Sequence, residues 1–148
     1  MSTSPKVLVV EDEPLSAKTL LLMLRSNNYD AVHASFVDQA RAILNDSEDL
    51  MLVIMDLWLP VTESDASEKK PTMNAGLALA EEIDGDHRNL PIKFITGYTE
   101  FVNISSLEAI KNFDGFHTKP LSTHDILDNV QQAFKRWKPA TKGLASGK

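Results

Sequence analysis

Residues 51–60 read MLVIMDLWLP: five apolar side chains in a row, then an acid at Asp56, then a stop at Pro60. An unbroken apolar run of this length suits a strand buried on both faces, as in a parallel sheet covered by helices. Residues 7–10 form another such run and residues 92–95 (IKFI) a near-apolar one, and residues 29–34 and 115–118 are shorter or more polar strand candidates. Between them the apolar spacing changes to that of helices. Ala17, Leu20, Leu21 and Leu24 fall at i, i+3, i+4 and i+7, after Pro14 at a first helical position. Phe36, Ala40 and Ile43 repeat that spacing, as do Leu79, Ala80 and Ile83. Ile126, Val130, Ala133 and Trp137 make the stripe of a last helix, with Ser122 or Thr123 as its cap. Residues 101–113 give a less clear helix, because their apolar side chains do not keep to one face.

Five strands alternating with five helices predict a doubly wound α/β fold with a parallel sheet. Periodicity does not give the strand order. Two segments stand outside the pattern. Residues 61–75 are almost devoid of apolar content and read as a long loop, and residues 139–148 read as a polar tail. One domain over residues 5–138 accounts for the rest.

The chain of 148 residues has room for one core and hardly for a second functional domain. It contains no cysteine, which excludes disulfides and thiolate metal sites and fits a reducing cytosol. No stretch approaches the roughly 18 apolar residues of a membrane span. A formal charge of −6 argues against nucleic acid as a partner. Lys135, Arg136 and Lys138 do cluster, but they close a helix, where cations complement the dipole.

Ligands of an open parallel sheet collect at the carboxyl ends of its strands. There the first strand ends in Glu11-Asp12-Glu13, the third in Asp56, the fourth in Thr96-Gly97 and the fifth in Lys119-Pro120; the second offers little. Crowded carboxylates need a cation, and an all-oxygen set suits Mg²⁺ rather than zinc or copper. A hydroxyl and an ammonium added to that cation fit a bound phosphoryl group, with Asp56 as the nucleophile that forms an acyl phosphate. Taken alone, an acid at a strand end would read as solvated, Thr96 as a strand-end hydroxyl bonding to backbone and Lys119 as a surface lysine. Their arrival at successive strand ends of one edge carries the argument.

With these motifs in view, the chain resembles the response-regulator receiver family over about residues 5–138. The resemblance rests on the acidic pair before a helix, Asp56-x-x-x-Pro60, Thr96 at the fourth strand and Lys119-Pro120 at the fifth. It implies a flavodoxin-like sheet in the order 2-1-3-4-5. It implies Mg²⁺ held by Asp12, by Glu11 mainly through water, by Asp56 and by the Trp58 backbone carbonyl. It further implies Asp56 as phosphoacceptor, Thr96 and Lys119 as partners of the phosphoryl group, Thr96 with Phe116 as the switch, and a cis peptide before Pro120. The implied partners are a histidine kinase or histidine phosphotransfer protein upstream and an effector protein downstream. The implied oligomeric state is a monomer or weak homodimer, and the only catalysis is of its own phosphorylation and dephosphorylation.

The chain departs from that pattern between Pro60 and Gly76, which bracket fifteen residues, about ten more than such a connection needs. This loop leaves the sheet beside Asp56 and is expected at the rim of the site. No output domain is expected after Trp137. Trp58 is expected to overhang the site or to anchor the loop. His33, His87, His117 and His124 lack metal-ligand spacing and are given no chemical role. The competing readings are a degenerate receiver that only binds partners, an aspartyl phosphatase and a flavodoxin-type cofactor protein. The phosphatase would need a second acid where Trp58 stands. The cofactor protein would need a phosphate loop where Glu11-Asp12-Glu13 would repel phosphate.

Overall fold

The computed structural model describes residues 4–86, 88–97 and 102–136. Five parallel strands, β1 (Lys6–Val10), β2 (Asp30–Ala34), β3 (Leu50–Asp56), β4 (Ile92–Thr96) and β5 (Phe113–Thr118), form one sheet in the order β2-β1-β3-β4-β5. Among the described residues there are six helices: α1 (Pro14–Arg25), α2 (Val37–Asp46), α3 (Glu63–Ser67), α4 (Ala75–Gly85), α5 (Ile104–Glu108) and α6 (Thr123–Arg136). None is long and apolar enough to cross a membrane.

Alternation along β1 shows why the sheet needs two covers. Val7 and Val9 join one core with Leu20, Met23 and Leu24 of α1 and Ile126, Val130 and Ala133 of α6. Leu8 and Val10 join another with Ala40 and Leu44 of α2, Leu79 and Ile83 of α4 and Leu107 of α5. Burying each such valine, leucine, isoleucine or methionine side chain contributes about 1.5–3 kcal/mol. A one-residue slip of β1 would exchange its valines and its leucine between two differently shaped layers. The register pairs Val9 with His33 on one side and with Ile54 on the other.

Helix ends follow local chemistry. Pro14 does open α1, and the Glu13 side chain accepts from Ser16 N at 2.8 Å. Ser122 caps α6 by accepting from Asp125 N. Trp137 and Lys138, assigned to that helix from sequence, lie outside the described residues, as do Phe101, His87 and residues 139–148.

Three expectations need correction. The stripe of α2 is Val37, Ala40 and Leu44, with Phe36 in extended conformation as the N-cap. The helix sought in residues 101–113 is only α5. Beyond Ile110 the Asp84 carboxylate accepts from the backbone N–H groups of Lys111 and Asn112 and turns the chain into β5. Finally, residues 61–75 are not structureless. Thr62 and Asp65 form a reciprocal capping box that starts α3. Leu59 and Thr72 then make an antiparallel bridge, with Thr72 N donating to Leu59 O at 2.8 Å.

One charge lies inside the sheet. Lys93 of β4 is fully buried, and its Nζ donates to the Asp114 carbonyl at 2.8 Å and pairs with Asp114 Oδ2 at 2.9 Å. Arg136 at the end of α6 reaches Asp114 Oδ1 at 2.7 Å. Burial pulls the Lys93 ammonium below the usual lysine range, against the pull of Asp114.

Candidate functional site

The carboxyl edge of the sheet gathers the acids and the ammonium that the sequence singles out. Asp56 ends the central strand and is 5% exposed, so its charge is held among protein groups rather than in water. Its Oδ1 accepts from Trp58 N at 3.1 Å, and its Oδ2 meets Lys119 Nζ at 2.8 Å. The same ammonium lies 2.6 Å from Glu11 Oε1. Glu11 is wholly buried, and its other oxygen accepts from Glu13 N at 3.1 Å. One carboxylate oxygen each from Glu11, Asp12 and Asp56 lies within 4.8 Å of the others. Thr96 is buried at the end of β4, and its carbonyl accepts from Lys119 N at 2.9 Å, which ties the ends of β4 and β5 together. The Lys119-Pro120 peptide is cis.

A cleft of about 400 Å³ opens over this edge, lined by Asp12, Glu13, Ser16, Asp56, Trp58, Pro71, Gly97 and Lys119. Trp58 fills both roles considered for it, since it lines the cleft and packs partly buried against the core. Pro71 brings the 61–75 segment to the rim. Phe116 stands apart. It pairs in register with Phe94, packs half-buried on the core and borders a separate cleft with His117, Pro120 and Leu121.

The response regulator receiver domain model matches residues 7–131. The chain belongs to this family. Among curated relatives, the transcriptional regulatory protein BaeR of Escherichia coli O6:H1 is 28% identical over 137 residues, 92% of this chain and 50% of that protein. Regulatory protein VanR of Enterococcus faecium is 29% identical over 136 residues, 91% of this chain and 52% of its own length. The chain thus spans about half the length of the curated relatives it matches. A CheY-like receiver domain from Methanospirillum hungatei JF-1 superposes with a TM-score of 0.76 at 18% identity, covering 90% of this chain and 96% of that one. Chemotaxis response regulator CheY4 of Vibrio cholerae gives 0.72 at 19% identity, covering 89% and 100%. At such identities these likenesses bear on the fold, which is flavodoxin-like.

Burial sets the electrostatics of this receiver. It pushes Glu11 up to about 7; the Lys119 hydrogen bond opposes that rise and the charge on Asp56 adds to it. Burial, with Asp56, also raises Asp12 above the usual carboxylate range. For Lys119 burial works downward, but the Asp56 and Glu11 carboxylates outweigh it and leave the ammonium above its ordinary value. The acids therefore share one internal cation, and a hard divalent ion suits the same set of oxygens.

Two residues of the receiver site were missed from sequence. His33, dismissed with the other histidines, donates from Nε2 to the Glu11 carbonyl at 2.8 Å and holds the acidic turn from β2. Its register opposite Val9 was the available signal, but it needs the strand pairing first. Gly76, noted only as a landmark, lies against Asp56 itself. A Cβ there would stand 2.2 Å from the Asp56 carbonyl oxygen, and Gly76 N donates to Leu57 O at 3.1 Å.

Proposed function

We propose that the chain is a phosphoacceptor that takes a phosphoryl group onto Asp56 and thereby changes which effector protein it binds. Receivers of response regulators work between histidine kinases and downstream effectors. The donor inferred for this one is a phosphohistidine of a kinase or phosphotransfer protein. Asp56 Oδ forms a bond to phosphorus as the N–P bond breaks, and the imidazole keeps the electron pair. The observation that carries the reading is the Asp56 carboxylate in contact with Lys119 at 2.8 Å, with Glu11 and Asp12 oxygens within 4.8 Å.

Receivers generally bind Mg²⁺ at an acidic pocket, and the oxygen donors here fit it. Glu11, Asp12, Asp56 and the Trp58 carbonyl would hold the ion. When bound, Mg²⁺ supplies positive charge that offsets the carboxylates and the incoming phosphoryl oxygens. Lys119 would turn from Asp56 to the phosphoryl group, exchanging one anion for another. The Thr96 hydroxyl would donate to a phosphoryl oxygen, and Phe116 would respond to that movement as the switch. On this reading the chain catalyses only its own phosphorylation and dephosphorylation.

Incubation with Mg²⁺ and acetyl phosphate, followed by intact-protein mass spectrometry, tests the assignment. One added phosphoryl group is expected, absent in chelator and absent from Asp56→Ala. Equal labelling of the Ala variant removes Asp56 from the role. No labelling of the parent favours a module that only binds partners.

A further inference from the structure

We propose that residues 61–75 form a fixed wall of the phosphoacceptor cleft, with the Pro71 ring slowing water attack on the aspartyl phosphate. The inference rests on Asp56 being the phosphoacceptor and adds a function for the segment that departs from the family pattern. The observation behind it is that this insertion returns to the chemistry instead of projecting away. Pro71 lines the same cleft as Asp12, Asp56, Trp58 and Lys119.

The segment is held at several points by backbone hydrogen bonds. Pro60 O and Val61 O accept from Val37 N and Asp38 N, both at 2.9 Å, which fixes the departing end to α2. The Thr62–Asp65 capping box starts α3, and Lys70 N donates to Asp65 O at 2.8 Å after that helix closes. The Leu59–Thr72 bridge then sets Pro71 beside the strand end, and Gly76 returns the chain to Leu57 O. Such a wall keeps its shape without an apolar core of its own. A polar but loosely held insertion would not.

Hydrolysis requires water to add to phosphorus opposite the Asp56 oxygen. The Oδ–P bond then breaks with its electron pair returning to the carboxylate, and the proton of water leaves with inorganic phosphate. A proline has no N–H, and its ring offers an attacking water no hydrogen-bond partner. Trp58, an aromatic residue, lines the same cleft. Together they limit the approaches from which water can be ordered for attack. The segment thus lengthens the life of the signal without touching the groups that form it.

The test uses the full chain labelled with acetyl phosphate and Mg²⁺, freed of donor, and followed by mass spectrometry as the label decays. Pro71→Ala is expected to shorten the half-life by roughly three- to tenfold, since water access changes and the acyl phosphate does not. Pro71→Val, which keeps a branched apolar wall, should restore most of the parental half-life. Replacing residues 62–74 with a short glycine-containing turn should shorten it at least as much as Pro71→Ala. Leu22→Ala, at an exposed residue of α1 outside this segment and off the cleft, should leave it unchanged. Because Pro71 is exposed, its variants report even if the shortened chain does not fold. Unchanged decay in Pro71→Ala, or an equal loss in Leu22→Ala, overturns the inference. Failure of the parent to take label would instead defeat the phosphoacceptor reading.

Discussion

Replacing Gly76 by alanine adds one methyl group at the place where α4 begins against the end of β3. The new Cβ would lie 2.2 Å from the Asp56 carbonyl oxygen, 3.1 Å from its carbonyl carbon and 3.1 Å from Leu57 Cα. All three neighbours are backbone, so no rotation of a side chain relieves the clash. Helix and strand must separate by roughly 1 Å to approach ordinary van der Waals spacing. Overpacking of this kind costs about 1–3 kcal/mol. Against that, alanine in place of glycine in a helix contributes at most about 1 kcal/mol. With that offset in full the net expectation is a loss of up to about 2 kcal/mol, or a fall in Tm of up to about 8 °C for a domain of this size. The displaced residue is Asp56, so labelling should suffer more than stability does, by up to about a hundredfold for a 1 Å misplacement. Calorimetry and the rate of label uptake from acetyl phosphate measure the two effects. A variant that melts at or above the parental temperature and labels at the parental rate would refute the reasoning.

Three further expectations concern the charges and the switch. Glu11 has its folded value at about 7, above its ordinary 4.5, so the native state binds more protons than the unfolded one in that window. The contribution of Glu11 to the stability of the metal-free protein should therefore be full below about pH 4.5 and be lost as pH rises through 7, while Mg²⁺ affinity rises because binding displaces the Glu11 proton; melting curves and calorimetric titrations at pH 5.5 and 8 check both signs. Asp114→Ala strips the carboxylate from buried Lys93 and should cost about 3 kcal/mol or more, whereas Lys93→Met leaves Asp114 paired with Arg136 and should cost far less; denaturant melts with equal losses for the two would contradict this. Thr96→Ala should still be labelled, yet chemical shifts around Phe116 should cease to follow the label; an unchanged response would separate Thr96 from the switch.

Much of the fold was legible because buried parallel strands leave continuous apolar runs, and those runs placed Glu11, Asp12, Asp56, Thr96 and Lys119 at one edge before any coordinates. What stayed hidden depends on contacts distant in sequence. Nothing in the sequence explains Lys93 within the near-apolar run 92–95, since its partner Asp114 lies a strand away and only β4–β5 pairing joins them. Helix α3 was invisible because its stability comes from a capping box and a bridge to Leu59, with no buried residue to create a periodicity. His33 and Gly76 act through backbone atoms of Glu11 and Asp56, and backbone contacts leave no pattern in side-chain chemistry.

The Arg136–Asp114 ion pair makes the last turn of α6 a handle on β5. Asp114 is the second residue of the strand that carries Phe116 and leads into Lys119, and it is gripped from β4 by Lys93 and from α6 by Arg136. A pull or twist applied at the end of α6 is therefore delivered to a buried carboxylate instead of being absorbed by a fraying helix. Force would travel along β5 toward the ammonium that touches Asp56. In the other direction, a shift of Lys119 on loading the site would be felt where the chain leaves the sheet. A single-molecule tether attached after Arg136 would feel two rigidities, one with Asp114 intact and a softer one with Asp114→Ala.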